Sequence, residues 1–517
     1  MDVDSAFQRT FKMLLGKGDG EVRLENFREY LTEYFRPVSK KKSWISGKDI
    51  TLLTDEHCGE AKFISQDEII EGEFKPLNIN EIKDIDSLLN AIDDRVLYTG
   101  NRVLGESGFV NDVDVCMDSF YVVGSTNIKQ SKYIAYSWMV RDSEYVFGSS
   151  TSGKARHMIK TVSYNSTRCF EAYYVADTSD TYFSYNCLGC THNMFSLNQR
   201  GARYVIGNLP LEKDRYFRIR NKLLEEIREK LVKDKKLPNI FNLPGRTEAP
   251  PEINVKERTD EQRMDRIDKA FNTAGRITLG ANLGPITRFE KWLSKHTATV
   301  GRRKTPFGRE TYPPFSSFPF MRGIHESRFV TNEEALELGK LRIDLSETEE
   351  LNLSVILKKI EKIAYYSPEI IAGGCQNVIG SPLSENSVNI YKVVDSNFGK
   401  NSGISGQVFN SEYVFGSFWI IDCGFCLNCY HSANLVKCFE MDGCSNCRDS
   451  MFCHNCENLS NCMFCFNAKN KRYAIGNVEF GREKYMQLRN RVLGWMVSQL
   501  EKEGCLGPDI YCMGRVK

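Results

Sequence analysis

The chain has 517 residues, enough for two to four domains, and its 69 basic residues nearly balance its 67 acidic ones. This balance excludes a global electrostatic pull toward nucleic acid, and the absence of any run of 18 apolar residues excludes a predicted transmembrane helix. The N-terminal Met-Asp-Val-Asp-Ser lacks the basic and apolar regions of a signal peptide, so we expect a cytoplasmic protein. There, most of the 18 cysteines are expected to be thiols or metal ligands rather than disulfides.

Residues 1–78 predict an N-terminal helical and mixed region. Apolar side chains at helical spacing predict two short helices within residues 4–35, and basic, strand-like segments follow. A further helix over residues 80–95 is expected to lead into the first repeat region, residues 79–200.

Residues 79–200 follow a strict period of three. Every third residue from Leu104 to Thr161 is small or aliphatic, and after a slip of one residue the rule resumes from Ser166 to Cys190. This period fits neither an α-helix nor a flat strand, but it fits a narrow β-solenoid with about 12 residues per coil. Outward tyrosines that recur at this interval predict an exposed ladder, formed by Tyr121, Tyr133 and Tyr145.

Residues 351–470 obey the same rule without exception from Cys375 to Ala468. Ten of the 18 cysteines, from Cys423 to Cys465, lie in phase with it, so they share their positions with serine, valine and isoleucine. The residue before an inward position is often one that tolerates a left-handed backbone, as a coil corner requires. The corners predicted in this way are Asn428, Asn434, Gly443, Asn446, Asp449, Asn455, Asn458, Asn461 and Asn467.

The two halves of the chain are interpreted as an internal duplication. The string SEYVFGS occurs at residues 143–149 and again at 411–417. Residues 203–208 match residues 472–477 at an offset of 269, and the apolar spacing of the following segments also matches at that offset.

An amphipathic helix is expected after each solenoid, in residues 201–235 and in residues 471–517, where it would cover the last coil. Residues 236–350 form the connector between the copies, with a helix expected near residues 259–271. The predicted fold class is therefore mainly β with α: tandem duplicated narrow β-solenoids, each capped by an amphipathic helix, the second of them the Cys-rich one.

The cysteine array is compatible with several kinds of chemistry. Repeated CxxC pairs are typical of zinc sites, yet the first-half positions that match Cys447 and Cys453 carry Ala172 and Thr178, which cannot be zinc ligands. We therefore favour buried thiol columns, with structural zinc, disulfides across the coil and an iron–sulfur or redox site as alternatives. The candidate metal ligands are Cys423, Cys426, Cys429, Cys438, Cys444, Cys447, Cys453, Cys456, Cys462 and Cys465.

Two shorter motifs favour a structural interpretation. GSSTSGK at Gly148–Lys154 has the spacing of a P-loop, but Ala155 occupies the place of the Ser or Thr that would bind Mg²⁺, so we interpret the motif as a coil corner. His57 and Cys58 are the elements of half a metal site or of a Cys-His pair, but no partner is apparent in the sequence. A surface loop is the preferred interpretation of these two residues.

The histidines of the repeat regions, His157, His192, His431 and His454, lie off the inward phase or in irregular coils, and we expect them to face outward. His431 and His454 are close in sequence to the cysteines and are the histidines that a mixed zinc site would use.

Two basic clusters make nucleic acid an alternative partner. Lys40–Lys42 and Arg302–Lys304, the second followed by several aromatic residues, are of the kind that contacts phosphates and stacks on bases. Such charge runs are more often solvated, and aromatic residues in a connector more often dock onto a neighbouring domain or subunit.

The inward spacing resembles the coil geometry of insect antifreeze-type narrow β-solenoids, although the flat Thr-x-Thr face of that family is absent, so ice binding is not implied. The xNCxxC repeats of Asn446–Cys465, the following Asn467–Asn477 and the helix containing Arg482–Tyr485 are similar to uncharacterised cysteine-rich repeat proteins of uncultivated small-genome bacteria and archaea. Ile45–Ile50 also resembles that family. Its common N-terminal CxxC zinc ribbon is missing here, and the resemblance covers roughly half the chain and implies no activity.

These observations predict a non-enzymatic structural or interaction scaffold that self-assembles through its solenoid faces, as a homo-oligomer or with a protein partner, and without a membrane. No cofactor is expected, and zinc is the exception to be tested. The alternatives are a cysteine-rich zinc- or copper-binding protein and a nucleic-acid-binding protein that uses the basic aromatic connector.

Overall fold

The computed structural model describes residues 1–17, 22–35, 38–69, 77, 82, 84–242, 245, 249–255, 262–345 and 351–513. In this part of the chain the fold is mainly β, with two large parallel sheets and with helices before, between and after them. None of these helices is long and apolar enough to cross a membrane.

Helices occupy the N-terminal region, the connector and the end of each parallel sheet. The α-helices are α1 (Val3–Leu15), α2 (Arg28–Leu31), α3 (Ile85–Ile92), α4 (Lys213–Asp234), α5 (Met264–Thr278), α6 (Glu290–Leu293), α7 (Asn332–Leu338), α8 (Leu353–Ile360) and α9 (Arg482–Glu503). The 3-10 turns are Leu24–Phe27, Gln66–Glu68, Ile286–Phe289, Pro319–Gly323 and Glu326–Arg328.

The predicted helices are found with shifted boundaries. The two helices expected within residues 4–35 are confirmed as α1 and α2, and α1 begins where the Asp2 side chain accepts the Ser5 N–H at 2.8 Å. The helix expected over residues 80–95 is limited to α3. The connector helix is α5, which extends further toward the C-terminus than predicted, and residues 259–261 of that prediction lie outside the described residues.

The strands fall into small N-terminal and connector pairs and the two large sheets. The first strands are β1 (Ser39–Lys42), β2 (Asp49–Leu52), β3 (Lys62–Ser65) and β4 (Leu97–Gly100). The first large sheet contains β5 (Val103–Leu104), β6 (Gly108–Met117), β7 (Phe120–Lys129), β8 (Lys132–Ala135), β9 (Trp138–Arg141), β10 (Glu144–Phe147), β11 (Thr151–Gly153), β12 (Arg156–Tyr164), β13 (Thr167–Ala176), β14 (Ser179–Tyr185), β15 (Thr191–Met194), β16 (Arg203–Ile206) and β17 (Leu209–Pro210).

The connector and the second half complete the set of strands. The connector pair is β18 (Arg303–Lys304) and β19 (Glu310–Thr311). The second large sheet contains β20 (Ile370–Ala372), β21 (Gln376–Ile379), β22 (Leu383–Glu385), β23 (Val388–Asn397), β24 (Lys400–Phe409), β25 (Glu412–Phe415), β26 (Phe418–Ile421), β27 (Gly424–Ala433), β28 (Val436–Asp442) and β29 (Met451–His454). The final pair is β30 (Ala474–Ile475) and β31 (Val478–Glu479).

Most parallel pairs in the two large sheets join residues that are 12 positions apart along the chain, which is the predicted coil length. Phe120 pairs with Lys132 in the first sheet, and Lys400 pairs with Glu412 in the second. Between β12 and β13 the pairing begins one residue short of this spacing, at Arg156 and Thr167, and the register shifts between Val162 and Ser163. The slip of the three-residue pattern between Thr161 and Ser166 therefore corresponds to an irregular layer of the sheet.

Small side chains at every third position form a narrow buried cluster within each half of the protein. Serines at these positions bridge the layers. The Ser131 hydroxyl donates to the carbonyl of Lys129 at 2.7 Å and accepts the backbone N–H of Ser143 at 3.2 Å. A buried hydroxyl is thereby satisfied twice, which explains why a polar residue occupies so much of a buried column.

The predicted corners are confirmed, because all nine have a positive φ of 48–62°. Asparagine suits these positions because its short side chain tolerates the left-handed region and bonds locally. The side chains also form amide ladders between layers: Asn455 donates to Asn467 at 2.8 Å and Asn458 donates to Asn470 at 2.9 Å.

Broader apolar cores lie on the outer surfaces of the two sheets. One joins α1, α4 and α8 to the first sheet, and the other joins α3, α5 and α9 to the second. The rings of Tyr121, Tyr133 and Tyr145 do stack, with centroids 5.0–5.1 Å apart. The prediction that this ladder is exposed is wrong, because Tyr133 is only 7% exposed and belongs to the core that includes α1.

Substitution of Asn458 tests the corner geometry. We expect Asn458→Val to lower the free energy of unfolding by about 1 kcal/mol, because a β-branched residue is strained at its φ of 55°, whereas Asn458→Gly should change it much less. Arg448→Val is the control, since Arg448 is exposed and has no positive φ. Urea denaturation of the three variants measures the difference, and equal effects of Asn458→Val and Arg448→Val would contradict this interpretation.

Candidate functional site

The ten candidate cysteine ligands are buried, each at most 4% exposed. Their thiols point at backbone carbonyls, in the same way as the serine hydroxyls of the columns. The Sγ of Cys438 lies 3.5 Å from the carbonyl oxygens of both Val436 and Cys447. Burial raises the pKa of Cys438 well above that of an ordinary thiol and raises the pKa of Cys429 to about 11. Cys438 and Cys429 are therefore protonated packing groups, whereas hydrogen bonds from neighbouring cysteines outweigh burial and lower the pKa of Cys456 and Cys465.

A metal centre requires thiolates gathered around one point. Among the residues that the structure describes, no group of three or more His, Cys, Asp or Glu side chains is arranged to hold a metal ion. The cysteines instead interact along and between layers, as Cys453 does with Cys456 and Cys465. The buried-column interpretation and the zinc interpretation both stay predictions.

One cysteine pair departs from the expectation of free thiols. Cys58 and Cys512 form a disulfide that joins residues 454 positions apart, while the other 16 cysteines are free. The interpretation of His57 and Cys58 as a Cys-His pair is wrong, because the Cys58 sulfur is committed to this bond. The disulfide instead fixes the C-terminal tail, and the Cys58 N–H also donates to the Tyr511 carbonyl at 3.2 Å.

His57 is enclosed rather than displayed on a surface loop. Its ring packs edge-on against Tyr98, Phe63 and Tyr511, with centroids 4.5–5.1 Å away. Both ring nitrogens are buried, and neither has a hydrogen-bond partner among the described residues. Burial lowers the pKa of His57 to about 3, so the imidazole is neutral.

Asp442, at the end of β28, is the centre of the polar cluster. This buried carboxylate contacts His454 Nδ1 at 2.8 Å and His431 Nδ1 at 3.1 Å, and it accepts the Tyr511 hydroxyl at 3.0 Å. Burial opposes its ionisation, but the hydrogen bonds from His431 and His454 outweigh burial and hold the pKa of Asp442 well below its usual value. His454 Nε2 accepts the Thr99 N–H at 3.0 Å, so its proton resides on Nδ1.

His296 joins the connector to this cluster. Its Nδ1 lies 3.0 Å from Glu56 and its Nε2 lies 3.1 Å from Asp509, which also pairs with Lys295. Burial disfavours the imidazolium, but hydrogen bonds to Asp509 and Glu56 outweigh burial and raise the pKa of His296 to about 9. His296 is therefore a cation at neutral pH.

The C-terminal tail completes the cluster. Glu440 accepts the Ile510 N–H and the Asn428 amide, both at 2.9 Å. Burial, reinforced by Asp509, raises the pKa of Glu440 to about 8. The Tyr98 hydroxyl donates to the Ile510 carbonyl at 2.8 Å. Residues from four separate parts of the chain thus share one buried network.

Only some members of this network were candidate site residues in the sequence analysis. His57, His431 and His454 were candidates, and the structure brings them around Asp442 and Tyr98. His431 and His454 lie outside the inward columns, as expected, but His454 is only 2% exposed because β4 covers it.

His157 and His192 have different surroundings. His157 lies outside the inward column and stacks on the outward Tyr145 at 4.5 Å, but the N-terminal region covers it and it is only 8% exposed. His192 stacks on Tyr204 with ring centroids 5.3 Å apart and is partly buried. Neither histidine contributes to the polar cluster.

The loop with P-loop spacing is covered by another part of the protein, and both basic clusters contain a residue that forms an ion pair. A Cβ at Gly148 would lie 2.6 Å from the Leu31 carbonyl oxygen, so the N-terminal region covers that loop. Lys40 pairs with Asp112 at 2.8 Å, and Arg302 pairs with Glu310. The connector aromatics Phe318 and Phe320 are at most 2% exposed and belong to the core beside the first sheet. These contacts favour docking over nucleic-acid binding.

Comparison with models of protein families and with curated proteins finds no match for this chain.

The ion pairs of His296 predict a specific pH dependence. The pKa of His296 in the folded protein, about 9, lies above its ordinary value of 6.5. The contribution of these ion pairs to the free energy of unfolding is therefore complete below pH 6.5 and is lost as the pH rises through 9. We expect the free energy of unfolding to fall more steeply over that window in the native protein than in His296→Gln. Denaturation curves at a series of pH values test this, and parallel pH profiles would refute it.

The disulfide predicts a second effect on stability. Without reductant, Cys512→Ala should lower the free energy of unfolding by about 2 kcal/mol or more, because the bond closes a very long loop and fixes the tail. Cys505→Ala is the matched control, because Cys505 is free and exposed. If both variants unfold at the same denaturant concentration, the disulfide does not stabilise the fold.

Proposed function

We propose that this chain is a non-enzymatic structural scaffold made of two tandem narrow β-solenoids that arose by duplication, and that it self-assembles. The observation that carries the proposal is the regular parallel register, one coil length per step, that runs through both large sheets. Each turn of such a frame repeats the contacts of the previous one, which suits a rigid support better than a site that must move.

The solenoid part of the proposal is supported by the columns. Residues at every third position are buried, and their hydroxyls or thiols bond to the adjacent layer. The Ser119 hydroxyl accepts the Ser131 N–H at 3.0 Å, and the Cys423 sulfur accepts the Leu435 N–H at 3.3 Å. The same position therefore has the same role in both halves.

The duplication is supported by contacts that recur at one offset. Helices α4 and α9 begin and end at the offset that relates the matching sequence segments. The Asn208 side chain bonds to both the N–H and the carbonyl of Leu197, and Asn477 makes the same pair of bonds to Phe466 at the corresponding positions of the second half. A purely local coincidence of sequence would not reproduce this side-chain geometry.

The two halves also contact each other reciprocally. Asn467, near the end of the second sheet, donates to the Leu97 carbonyl, which precedes the first sheet, at 2.9 Å. Asn198, near the end of the first sheet, donates to the Tyr365 carbonyl, which precedes the second, also at 2.9 Å. This exchange supports a pseudo-twofold arrangement of two related units.

Self-assembly is proposed at the open end of the first sheet. Strand β6 pairs with β5 only through Cys116 and Met117, and Asp114 is covered by Leu53 and Arg102, so within the described residues the open stretch of β6 is Gly108–Asp112, with β7 as its ladder partner on one side. Phe109 is 73% exposed there and stacks on Tyr121 at 4.7 Å. An unpaired strand edge is a template for another strand.

The proposed occupant of this edge is a second copy of the chain. Twofold pairing of two β6 edges would place one exposed Phe109 ring against another and continue a stack whose spacing is already 4.7–5.1 Å along the ladder. The same contact satisfies the unpaired backbone groups of both copies.

Sedimentation equilibrium over a range of concentrations tests the assembly. We expect the native protein to associate and Phe109→Lys to remain monomeric, because the lysine removes the stack and places like charges together. Phe398→Lys is the control, since Phe398 is 53% exposed with a φ of 52° but lies in the second sheet. A native protein that is monomeric at every concentration, or a Phe109→Lys variant that associates as strongly as the native one, would contradict self-assembly at this edge.

A further inference from the structure

A cavity of about 450 Å³ lies beside the polar cluster, where all parts of the chain meet. The first sheet contributes Trp138, the second contributes Phe418, and the tail contributes Tyr511. The connector lines another side through His296 and Pro319. A cavity of this size accommodates a small organic molecule.

One wall of the cavity is aromatic. Trp138 and Phe418 are each 8% exposed, and their rings are nearly parallel, with an interplanar angle of 12° and centroids 6.3 Å apart. Gly406 makes room for this arrangement, because a Cβ there would lie 2.1 Å from the Phe418 ring. Flat aromatic surfaces of this kind favour planar apolar groups.

The remaining lining contains polar groups that the fold leaves unused. The Ser317 hydroxyl is buried and has no hydrogen-bond partner among the described residues. Arg322 is an exposed residue at the edge of the cavity, and within the described part of the chain it has no ion-pair partner. His431 uses Nδ1 to contact Asp442, which leaves Nε2 as its available polar atom. Buried polar groups are normally satisfied, so an unused one at a cavity points to a ligand.

The charges around the cavity select the sign of that ligand. His296 and Lys295 neutralise Glu56 and Asp509 through ion pairs. The Asp442 carboxylate next to the cavity is hydrogen-bonded by His431 and Tyr511. The described lining also includes the guanidinium of Arg322, and guanidinium groups bind carboxylate, sulfonate and phosphate oxygens by charge-assisted hydrogen bonds.

We propose that this cavity binds a small planar aromatic molecule with one anionic group. The ring system would lie against Trp138 and Phe418, and the anion would contact Arg322 with the Ser317 hydroxyl as a second donor. This binding function is independent of the proposed self-assembly, because Phe109 does not line the cavity.

Two matched probes test the proposal on the full chain. The first is 8-anilinonaphthalene-1-sulfonate, and the second is N-phenyl-1-naphthylamine, which has the same rings without the sulfonate. We expect one sulfonate probe bound per chain, and we expect Arg322→Gln to weaken it by about tenfold or more while the neutral probe changes less than about twofold. Arg448→Gln, at an exposed position in the second sheet, should change neither affinity.

A second variant separates this cavity from other apolar surfaces. Ala298→Trp places a large ring in the cavity and should abolish the binding of both probes, while the circular dichroism spectrum shows that the fold is intact. Unchanged sulfonate affinity in Arg322→Gln would overturn the proposal. Binding that survives Ala298→Trp would overturn it as well, because the probes would then occupy another surface.

Discussion

Both sheets depend on one recurring interaction between consecutive layers. An inward serine or cysteine donates to the carbonyl two positions earlier and, at many positions, accepts a backbone N–H of the next layer. Ser143 does this with Arg141 and Ala155, and Cys423 does it with Ile421 and Leu435. Only short or slender side chains fit these positions: serine and cysteine make the bonds between layers, and small aliphatic residues fill the other inward positions by packing alone.

This constraint leaves the outer surfaces of the layers free to vary. In each half, the outward residues pack against helices, and at the junction of the halves they form the polar cluster around Asp442. That cluster is charged and buried, which is costly unless each charge is paired. Asp442 has three hydrogen-bond partners, and the His296 imidazolium lies between two carboxylates. The disulfide of Cys58 holds the tail that supplies Tyr511 and Asp509 to this network.

The repeating part of the fold was predictable because its rule is local. Every third residue, nine corners of the second half and the slip after Thr161 could be identified in the sequence, since a layer contacts only its neighbours. The polar cluster was not predictable in the same way. Glu440, Asp442 and Asp509 have no spacing that distinguishes them from solvated acids, and only the docking of distant segments makes them neighbours.

The exposure of outward residues was the weakest part of the sequence interpretation. Tyr133 and His454 are outward from their layers, as their phase indicates, yet other elements cover both. Phase along the chain determines which side of a layer a residue occupies, but burial depends on what packs against that side. Cys58 illustrates the same limit, because its partner Cys512 is near the other end of the chain.

The central claim is that the cysteines of the second half are packing thiols in buried columns. Elemental analysis of protein purified without chelator, combined with a thiol titration of the denatured and unreduced chain, tests it directly. The account predicts less than one zinc or copper ion per chain and 16 free thiols. Two or more bound metal ions per chain, or a markedly lower thiol count, would contradict it and would make the cysteine array a metal or disulfide site.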